Sequence, residues 1–247
     1  MLCASASGQL TARTLVGRLP VDRRPQARIL SAMDDARSLA ATLRGTIGDR
    51  RVLEALLAVP RERFVRSQDM PRAYANVALG IDCGQTISQP VVVARMLELL
   101  ELTCTDRVLD VGTGSGYHAA VLARLAGEVW SIERHGDLVA AARVTLAQLG
   151  ITNVVCVHGD GCLGLQAQAP FDAINVAAAA GDRVPAALEA QLATGGRLVA
   201  PVGTRRQHLV RVRRTTVGLI RERLDPVRFV PLVRGAESRS GPRAERA

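Results

Sequence analysis

The sequence predicts an α/β fold built on a doubly wound, mostly parallel sheet. Short apolar runs, typical of buried strands, alternate with helical stretches between residues 104 and 202. One of these runs is followed by Gly112, Gly114 and Gly116, and then by an alanine-rich stretch with helical character. A buried strand, a glycine-rich turn and a helix start together form a site where the backbone can approach a nucleotide closely.

The region ahead of the sheet is predicted to be helical, apart from its first residues. Residues 1–32 show no clean periodicity and are interpreted as a loose extension. Helices are predicted at 34–48, Arg50–Ala58 and Val91–Leu102, where apolar side chains recur at helical spacing. Residues 73–90 contain two glycines and lack strong periodicity, which predicts a loop that ends at a proline, a residue tolerated in the first turn of a helix.

The sheet is predicted from five strands with helices between them. The strands are Val108–Val111, Glu128–Ile132, Val154–His158, Phe171–Val176 and Arg197–Val202, and the helices are His118–Ala126, Asp137–Leu149 and Pro185–Leu192. Two further strand-like stretches, His208–Arg214 and Val227–Leu232, have no helix between them, which predicts an antiparallel hairpin at the sheet edge. From Arg234 onward the chain is rich in Arg, Ser, Gly and Glu, which predicts disorder.

The net charge of +9 comes almost entirely from the last part of the chain. Residues 1–204 hold 20 arginines and 19 acidic residues, whereas residues 205–247 hold 12 arginines and 4 acidic residues. All 32 basic residues are arginine, which excludes Schiff-base or general-base chemistry on lysine. The basic stretch is interpreted as a solvated tail, and a nucleic-acid partner is not expected.

The cysteine content indicates a reducing compartment. The five cysteines contain no C-x-x-C pair, which argues against a disulfide framework and against a zinc site, and no other metal is expected. No apolar run approaches about 18 residues, and no apolar secretory segment is visible near the N-terminus. The sequence therefore predicts a cytoplasmic protein that makes no contact with membranes.

The glycine spacing favours one cofactor over another. A dinucleotide site has the spacing G-x-G-x-x-G, whereas this chain has G-x-G-x-G, with Tyr117 where a third dinucleotide glycine would stand. Asp110 precedes the glycines, and Glu133 follows the next strand about 20 residues on, where an acid can bind a ribose. S-adenosylmethionine carries no pyrophosphate, so this pattern predicts a Rossmann-like site for S-adenosylmethionine.

Two further segments are candidates for this site. Asp160 and Gly161 follow the third strand of the sheet and are predicted to contact the adenine, although a turn aspartate of ordinary structural role is the alternative. The segment Gln85–Pro90 directly precedes a helix. Its polar side chains either line the site or, as the alternative, Ser88 or Gln89 caps that helix.

Several motifs together resemble the protein-L-isoaspartate (D-aspartate) O-methyltransferase family over roughly residues 35–233. They are VPRERFV at 59–65, GQTISQP at 84–90, LDVGTGSGY at 109–117, GDGCLG at 159–164, APFDAINVAAAA at 169–180, LATGGRLVAPVG at 192–203 and PVRFVPL at 226–232. The resemblance implies one methyltransferase domain at 33–233, with helices and a substrate loop at 33–103 and the cofactor-binding sheet at 104–233. Residues 234–247 would form a disordered basic tail.

The resemblance also implies an activity and the residues that support it. The activity is methyl transfer from S-adenosylmethionine to the α-carboxylate of L-isoaspartyl and D-aspartyl residues in damaged proteins, with repair through a succinimide. Ser88 would be the active-site residue. The implied cofactor contacts are Gln85, Thr86, Ile87, Asp110, Gly112, Gly114, Gly116, Glu133, Asp160, Gly161 and Gln207, the last closing over the cofactor. The chain departs from the family pattern at Cys162 and Leu165, where aromatic residues are common.

The chemistry needs no general base, because a carboxylate with a pKa near ~3.5 is already ionised at neutral pH. Ser88 is therefore expected to orient the carboxylate by a hydrogen bond without proton transfer. Three alternatives remain: a related enzyme that methylates one dedicated peptide, a methyltransferase for RNA or small molecules, and a non-catalytic protein whose arginine-rich tail binds RNA or acidic surfaces. The 2% aromatic content gives few platforms for base stacking. A monomer is expected.

Overall fold

The computed structural model describes residues 35–237 and contains one seven-stranded sheet in the order β5-β4-β3-β6-β7-β8-β9. Its strands are β3 (Arg107–Val111), β4 (Glu128–Glu133), β5 (Val154–His158), β6 (Phe171–Val176), β7 (Leu192–Val202), β8 (Gln207–Thr215) and β9 (Gly218–Val227). The short strands β1 (Leu79–Gly80) and β2 (Thr86–Ile87) pair separately. The helices are α1 (35–43), α2 (Arg50–Ala58), α3 (Pro90–Leu100), α4 (Tyr117–Leu122), α5 (Gly136–Gln148) and α6 (Ala186–Ala190).

The first half of the sheet is parallel and buried. Strands β5, β4, β3 and β6 pair in parallel register, and β7 continues the parallel order next to β6. The inner strands β3 and β6 are buried at nearly every position because helices cover both of their faces. This arrangement confirms the predicted doubly wound, mostly parallel sheet, and it places the carboxyl ends of β3, β4 and β6 at one edge.

The N-terminal helices pack on the parallel half. Leu43, Ile47 and Val52 are almost fully buried, and the side chain of Asp49 caps α2 by accepting a hydrogen bond from the Arg51 N–H. Pro90 starts α3, as predicted. The predicted first helix, however, ends at residue 43 rather than 48, and the predicted helix His118–Ala126 is reduced to α4. None of the helices among residues 35–237 is long and apolar enough to cross a bilayer.

The second half of the sheet is antiparallel and more exposed. Strand β8 pairs antiparallel with β7 and β9, which confirms the predicted edge hairpin. The second strand of that hairpin was wrongly predicted at Val227–Leu232, because β9 instead occupies Gly218–Val227 after a two-residue turn. Most of its residues face solvent, so no apolar run marks this strand in the sequence.

The segment after β9 crosses the carboxyl edge of the sheet. Backbone hydrogen bonds join Ala179 to Val230 and Leu232, with N–O distances of 2.8 Å each. Arg234 to Glu237 continue this path, so the predicted disorder is wrong for these four residues. They end at the Glu237 N–H, which donates to the Arg134 carbonyl at 2.7 Å, because the ends of β4 and β5 present polar partners here. The rest of the predicted tail and the whole of the predicted extension 1–32 lie outside the described residues.

Candidate active site

A cavity of about 200 Å³ lies at the carboxyl edge of the parallel half. We call it the cofactor cavity. Its floor is formed by the ends of β3, β4 and β6, and its walls are formed by the loop before α3 and by the segment after β9. The lining consists of Gly84–Thr86, Val111, Gly112, Gly114, Ile132–His135, Gly161, Ala177, Ala178 and Val230–Val233. This is where ligands bind in open α/β sheets.

The glycine turn adopts the backbone conformation that its sequence predicts. Gly112, Gly114 and Gly116 have φ angles of 94°, 52° and 91°, in a region that side chains rarely tolerate. A Cβ at Gly116 would also lie 3.2 Å from the Cβ of Ala142 in α5. Gly112 and Gly114 line the cofactor cavity, whereas Gly116 shapes the turn into α4 without lining it.

Glu133 sits at the end of β4 and forms part of the cavity wall. Its carboxylate accepts hydrogen bonds from the Gly114 and His135 N–H groups, both at 3.0 Å, and it is only 6% exposed. His135, which sequence reasoning missed, also lines the cavity. Its Nδ1 lies 3.1 Å from a Glu237 carboxylate oxygen, and its buried Nε2 has no partner among residues 35–237. The available signal was a polar residue two positions after the end of β4.

Asp110 lies beneath the cavity and does not line it. Its carboxylate is fully buried and accepts hydrogen bonds from the Ser131 hydroxyl at 2.7 Å and from the Asn175 amide at 2.8 Å. Burial raises the pKa of Asp110 to about 6, while these two hydrogen bonds act in the opposite direction. Ser131 is also 2.6 Å from the Thr113 hydroxyl. This buried network supports the glycine turn from below.

Asp160 and Gly161 occupy the turn after β5. One Asp160 carboxylate oxygen accepts a hydrogen bond from the Cys162 N–H and the other from the Gly235 N–H, both at 2.8 Å. Asp160 thus caps its turn and also ties down the segment after β9, and its contact with adenine stays a prediction. Gly161 lines the cavity, and a Cβ there would lie 2.7 Å from Val111 Cγ1. Only glycine fits this position without displacing the wall.

A second groove of about 750 Å³ adjoins the cofactor cavity. We call it the substrate groove. Ala78, Thr86, Ser88, Gln89 and Val92 form one side, and Pro226–Val230 form the other. Thr86 and Val230 line both the cofactor cavity and the substrate groove. The two spaces therefore meet at the predicted GQTISQP loop.

The side chain of Ser88 is available for a ligand. Its hydroxyl makes no hydrogen bond to any residue among 35–237. Helix α3 has no side-chain cap from Gln89, and the Val91 N–H instead donates to Asn76 Oδ1 at 3.0 Å. The alternative in which Ser88 or Gln89 caps α3 is therefore wrong. Ile87 is buried behind Ser88, and Gln85 lines the cofactor cavity.

A buried arginine holds the loop in place. Arg61 is fully buried, and its guanidinium donates to the carbonyls of Ser88 at 2.8 Å and Ala73 at 2.9 Å. It also lies 4.7 Å from the centre of the Tyr117 ring. Burial lowers the pKa of Arg61 from its usual value, although the group stays charged at neutral pH. Sequence reasoning missed both Arg61 and Asn76 because their partners lie 12 to 27 residues away.

Gln207 does not line the cofactor cavity. Its side chain forms two hydrogen bonds with the backbone of Phe229: Nε2 donates to the carbonyl at 3.1 Å, and Oε1 accepts from the N–H at 2.6 Å. Phe229 precedes Val230, which separates the two spaces. Gln207 thus supports the segment that walls the cavity, and its closure over the cofactor stays a prediction.

A small cavity between the Ser88 loop and the glycine turn contains a buried histidine. His118 Nδ1 lies 3.4 Å from the Asn175 amide nitrogen, and its Nε2 has no partner among the described residues. Burial, together with the nearby Arg61 charge, lowers the pKa of His118 to about 4, so the ring is neutral at pH 7. Residues 35–237 contain no group of three or more His, Cys, Asp or Glu side chains placed to hold a metal ion.

The lining fits S-adenosylmethionine. At glycines 112, 114 and 161 the backbone itself forms the surface of the cofactor cavity. The Glu133 carboxylate can still accept hydrogen bonds from ribose hydroxyls. The unpartnered His135 Nε2 gives a further polar contact. Ile132 and Leu232 supply apolar walls of the kind that an adenine ring needs.

The chain is similar to a known family over most of its length. The sequence profile described as Protein-L-isoaspartate(D-aspartate) O-methyltransferase (PCMT) matches residues 37–237. A protein-L-isoaspartate O-methyltransferase from Koribacter versatilis is 52% identical over 204 residues, which cover 82% of this chain and 91% of that protein. One from Erwinia tasmaniensis is 52% identical over 189 residues, which cover 76% of this chain and 90% of that protein.

Two solved structures are similar to the whole domain. A protein-L-isoaspartate O-methyltransferase matches with a TM-score of 0.72 and 30% identity, covering 79% of this chain and 65% of that one, slightly less than two thirds of its length. A Plasmodium falciparum structure described as a putative protein-L-isoaspartate O-methyltransferase, in complex with S-adenosyl-L-homocysteine, matches with a TM-score of 0.70 and 29% identity. It covers 79% of this chain and 97% of the solved one.

Proposed function

The chain belongs to the protein-L-isoaspartate(D-aspartate) O-methyltransferase family, and we propose how its residues perform that family's reaction. The enzyme uses S-adenosylmethionine to methylate isoaspartyl residues in damaged proteins, as the first step of their repair. The roles of individual residues below are our proposal.

The observation that carries the proposal is the junction of the two spaces at Thr86. The cofactor cavity and the substrate groove share Thr86 and Val230, and Ser88 faces the groove with an unpaired hydroxyl. A carboxylate bound at Ser88 would therefore lie next to the cavity that holds the methyl donor. Placing two reactants in line is worth several orders of magnitude in rate, even when no proton is transferred.

Glu133, His135 and the glycine turn would hold the cofactor. When bound, S-adenosylmethionine supplies a methyl group activated by the positive sulfur, which departs as a neutral thioether. Gln85 and Leu232 close the cavity on opposite sides. Asp110 acts indirectly, because its hydrogen bonds to Ser131 and Asn175 fix the end of β3 below the turn.

Ser88 would orient the acceptor carboxylate. The isoaspartyl α-carboxylate is ionised at neutral pH, so its oxygen needs positioning rather than deprotonation. A hydroxyl that donates to one oxygen leaves the other oxygen free to approach the methyl group. Arg61 holds the Ser88 carbonyl and thereby fixes the direction of the side chain.

The groove accepts an extended chain. A helical segment would be too wide to bring its backbone carboxylate to Ser88, whereas an extended segment fits along the groove. We therefore propose flexible isoaspartyl segments as substrates. We also propose a monomer located in the cytoplasm, in agreement with the four cysteines among residues 35–237 being free thiols.

The test uses two matched peptides that differ only in an isoaspartyl or an aspartyl linkage. Purified protein is incubated with methyl-labelled S-adenosylmethionine and each peptide, and base-labile methyl ester is counted. We expect ester on the isoaspartyl peptide alone. Equal labelling of both peptides, or labelling of neither, would reject the proposed site.

A further inference from the structure

A third groove, of about 580 Å³, lies beside the substrate groove. It is lined by Thr204–His208 and Pro226–Arg228, and we call it the arginine pocket. Residues Pro226, Val227 and Arg228 line both the arginine pocket and the substrate groove. A chain bound at Ser88 can therefore continue into the arginine pocket without leaving the protein surface.

The backbone around the arginine pocket is anchored to the site. The Gly203 N–H donates to the carbonyls of Ala180 and Gly181, at 3.1 and 2.8 Å. Gln207 binds the backbone of Phe229 with both polar atoms of its side chain. The arginines are thus presented from fixed positions next to the substrate groove.

The charges of the arginine pocket are not neutralised within the described residues. Arg205, Arg206 and Arg228 line it, and their side chains make no hydrogen bond or ion pair with any residue among 35–237. No acidic side chain lines it. The nearest acid along the chain, Asp225, is bound instead to Arg95 at 2.9 Å.

Other arginines of the same half of the sheet have partners. Arg211 and Arg213 bind Glu101, and Arg221 binds Glu189, at distances from 2.6 to 3.1 Å. The arginines of this half that bind acidic side chains are thus paired, whereas those that line the arginine pocket are not. Three unpaired guanidiniums in one acid-free groove form a site that attracts carboxylates.

We propose that the arginine pocket is a specificity subsite for acidic side chains that flank the isoaspartyl residue in the substrate. This inference rests on the proposed function, because it requires the isoaspartyl carboxylate to bind at Ser88. An extended chain advances about 3.3 Å per residue, so the acid lies only a few positions from the isoaspartyl residue. Because the arginine pocket adjoins one end of the substrate groove, the acidic residue of the substrate lies on one side of the isoaspartyl residue only.

The expected effect is on recognition and depends on salt. Ion pairs of exposed groups are modest individually, so an acidic flank should raise kcat/KM by roughly three- to tenfold at low ionic strength. The acidic flank should lower KM and leave kcat unchanged, because the arginine pocket lies away from the reacting atoms. It should shrink at about 1 M salt, where charges are screened within about 3 Å.

The experiment compares a neutral isoaspartyl peptide with peptides that carry one glutamate at each of the three positions before and after the isoaspartyl residue. The enzymes are the wild type, the pocket variant Arg205→Gln, Arg206→Gln, whose two arginines line the arginine pocket but not the substrate groove, and a control variant Arg44→Gln, Arg124→Gln. The control arginines are exposed and line none of the cavities described above.

We expect glutamate on one side to lower KM for the wild type and the control variant, and to have no effect on the pocket variant. The neutral peptide should be methylated equally by all three enzymes. If the neutral peptide is methylated but glutamate does not change KM, the proposed subsite is wrong and the proposed function stands. If no enzyme methylates it, the proposed function fails. If the pocket variant loses only binding of labelled single-stranded RNA, the groove is a nucleic-acid surface and the subsite is also wrong.

Discussion

The parallel and antiparallel halves of the sheet use arginine in opposite ways. Beside the parallel half, Arg61 is fully buried, binds two carbonyls and lies against the Tyr117 ring. On the antiparallel half, Arg221 is half exposed and pairs with Glu189 at 2.7 Å. The same side chain is thus a fixed internal support in one half and a surface partner in the other.

The comparison shows which half determines the geometry of the reaction. Desolvation makes the hydrogen bonds of a buried group expensive to lose, whereas water replaces a partner at an exposed group. Positions that set the geometry of the cofactor and of Ser88 therefore belong to the buried half. The exposed half can vary its charges to suit a substrate without disturbing the fold.

Replacing Arg61 gives the largest effect that the comparison predicts. Arg61→Met leaves the carbonyls of Ser88 and Ala73 without donors, so we expect a loss of about 4 kcal/mol in the free energy of unfolding. Methyltransferase activity should fall at least 100-fold because the Ser88 loop is released. Urea unfolding and kcat measure the two effects. The control Arg61→Lys keeps the charge and should lose less unfolding free energy and less activity. An Arg61→Met enzyme as stable as the wild type would contradict the comparison.

Replacing Ser88 affects the junction of the two spaces. Ser88→Ala removes a hydrogen bond to a charged carboxylate, so we expect kcat to fall roughly 10- to 100-fold, which corresponds to about 1.5–3 kcal/mol. Binding of S-adenosylhomocysteine, measured by calorimetry, should change less than about twofold. Ser88→Thr keeps the hydroxyl and serves as the control. An equal loss of cofactor binding and kcat would assign Ser88 a structural role.

The buried carboxyl of Asp110 predicts a pH dependence of stability. The folded pKa is raised to about 6 from a usual value of 3.8, so the folded state holds the proton longer than the unfolded chain does. Its contribution to stability is therefore complete below about pH 4 and is lost as the pH rises through 6. Asp110→Asn removes this titration.

The test of Asp110 follows the difference in unfolding free energy between the wild type and Asp110→Asn. We expect the wild type to lose about 2 kcal/mol relative to the variant between pH 4 and pH 7. Thermal or urea unfolding at several pH values gives the measurement. A constant difference across this range would show that folding does not raise the pKa of Asp110.

Replacing Arg221 gives the smallest effect. Arg221→Gln removes a surface ion pair, so we expect a change below about 0.5 kcal/mol in the free energy of unfolding and no change in kcat. The measurements are those used for Arg61, which makes the two variants a matched pair. A loss of more than about 1.5 kcal/mol in the free energy of unfolding would show that exposed arginines of the antiparallel half also stabilise the fold strongly.

The parallel half was largely predictable because burial leaves a pattern in the sequence. Strands β5 and β6 were predicted with their observed bounds, and β3 and β4 to within one residue. The glycine turn was predictable because its positive φ angles require glycine. Strand β9 was missed because its residues face solvent and show no apolar run.

The candidate site was only partly predictable. Thr86, Ser88 and Glu133 line the two spaces as expected, whereas Asp110 lies below the cavity and Gln207 supports its wall. Their spacing in the sequence could not distinguish a residue that faces the cavity from one that supports it. That distinction depends on which neighbours satisfy each polar group.

By itself, the sequence determined the fold class, the glycine turn and the loop that carries Ser88, because burial and backbone conformation restrict which residues can occupy each position. Only the tertiary structure decided the path of residues 226–237, the roles of Arg61 and Asn76, and which arginines remain unpaired beside the groove. These depend on contacts between distant segments. Such contacts follow from how the chain packs, and no local pattern of residues records them.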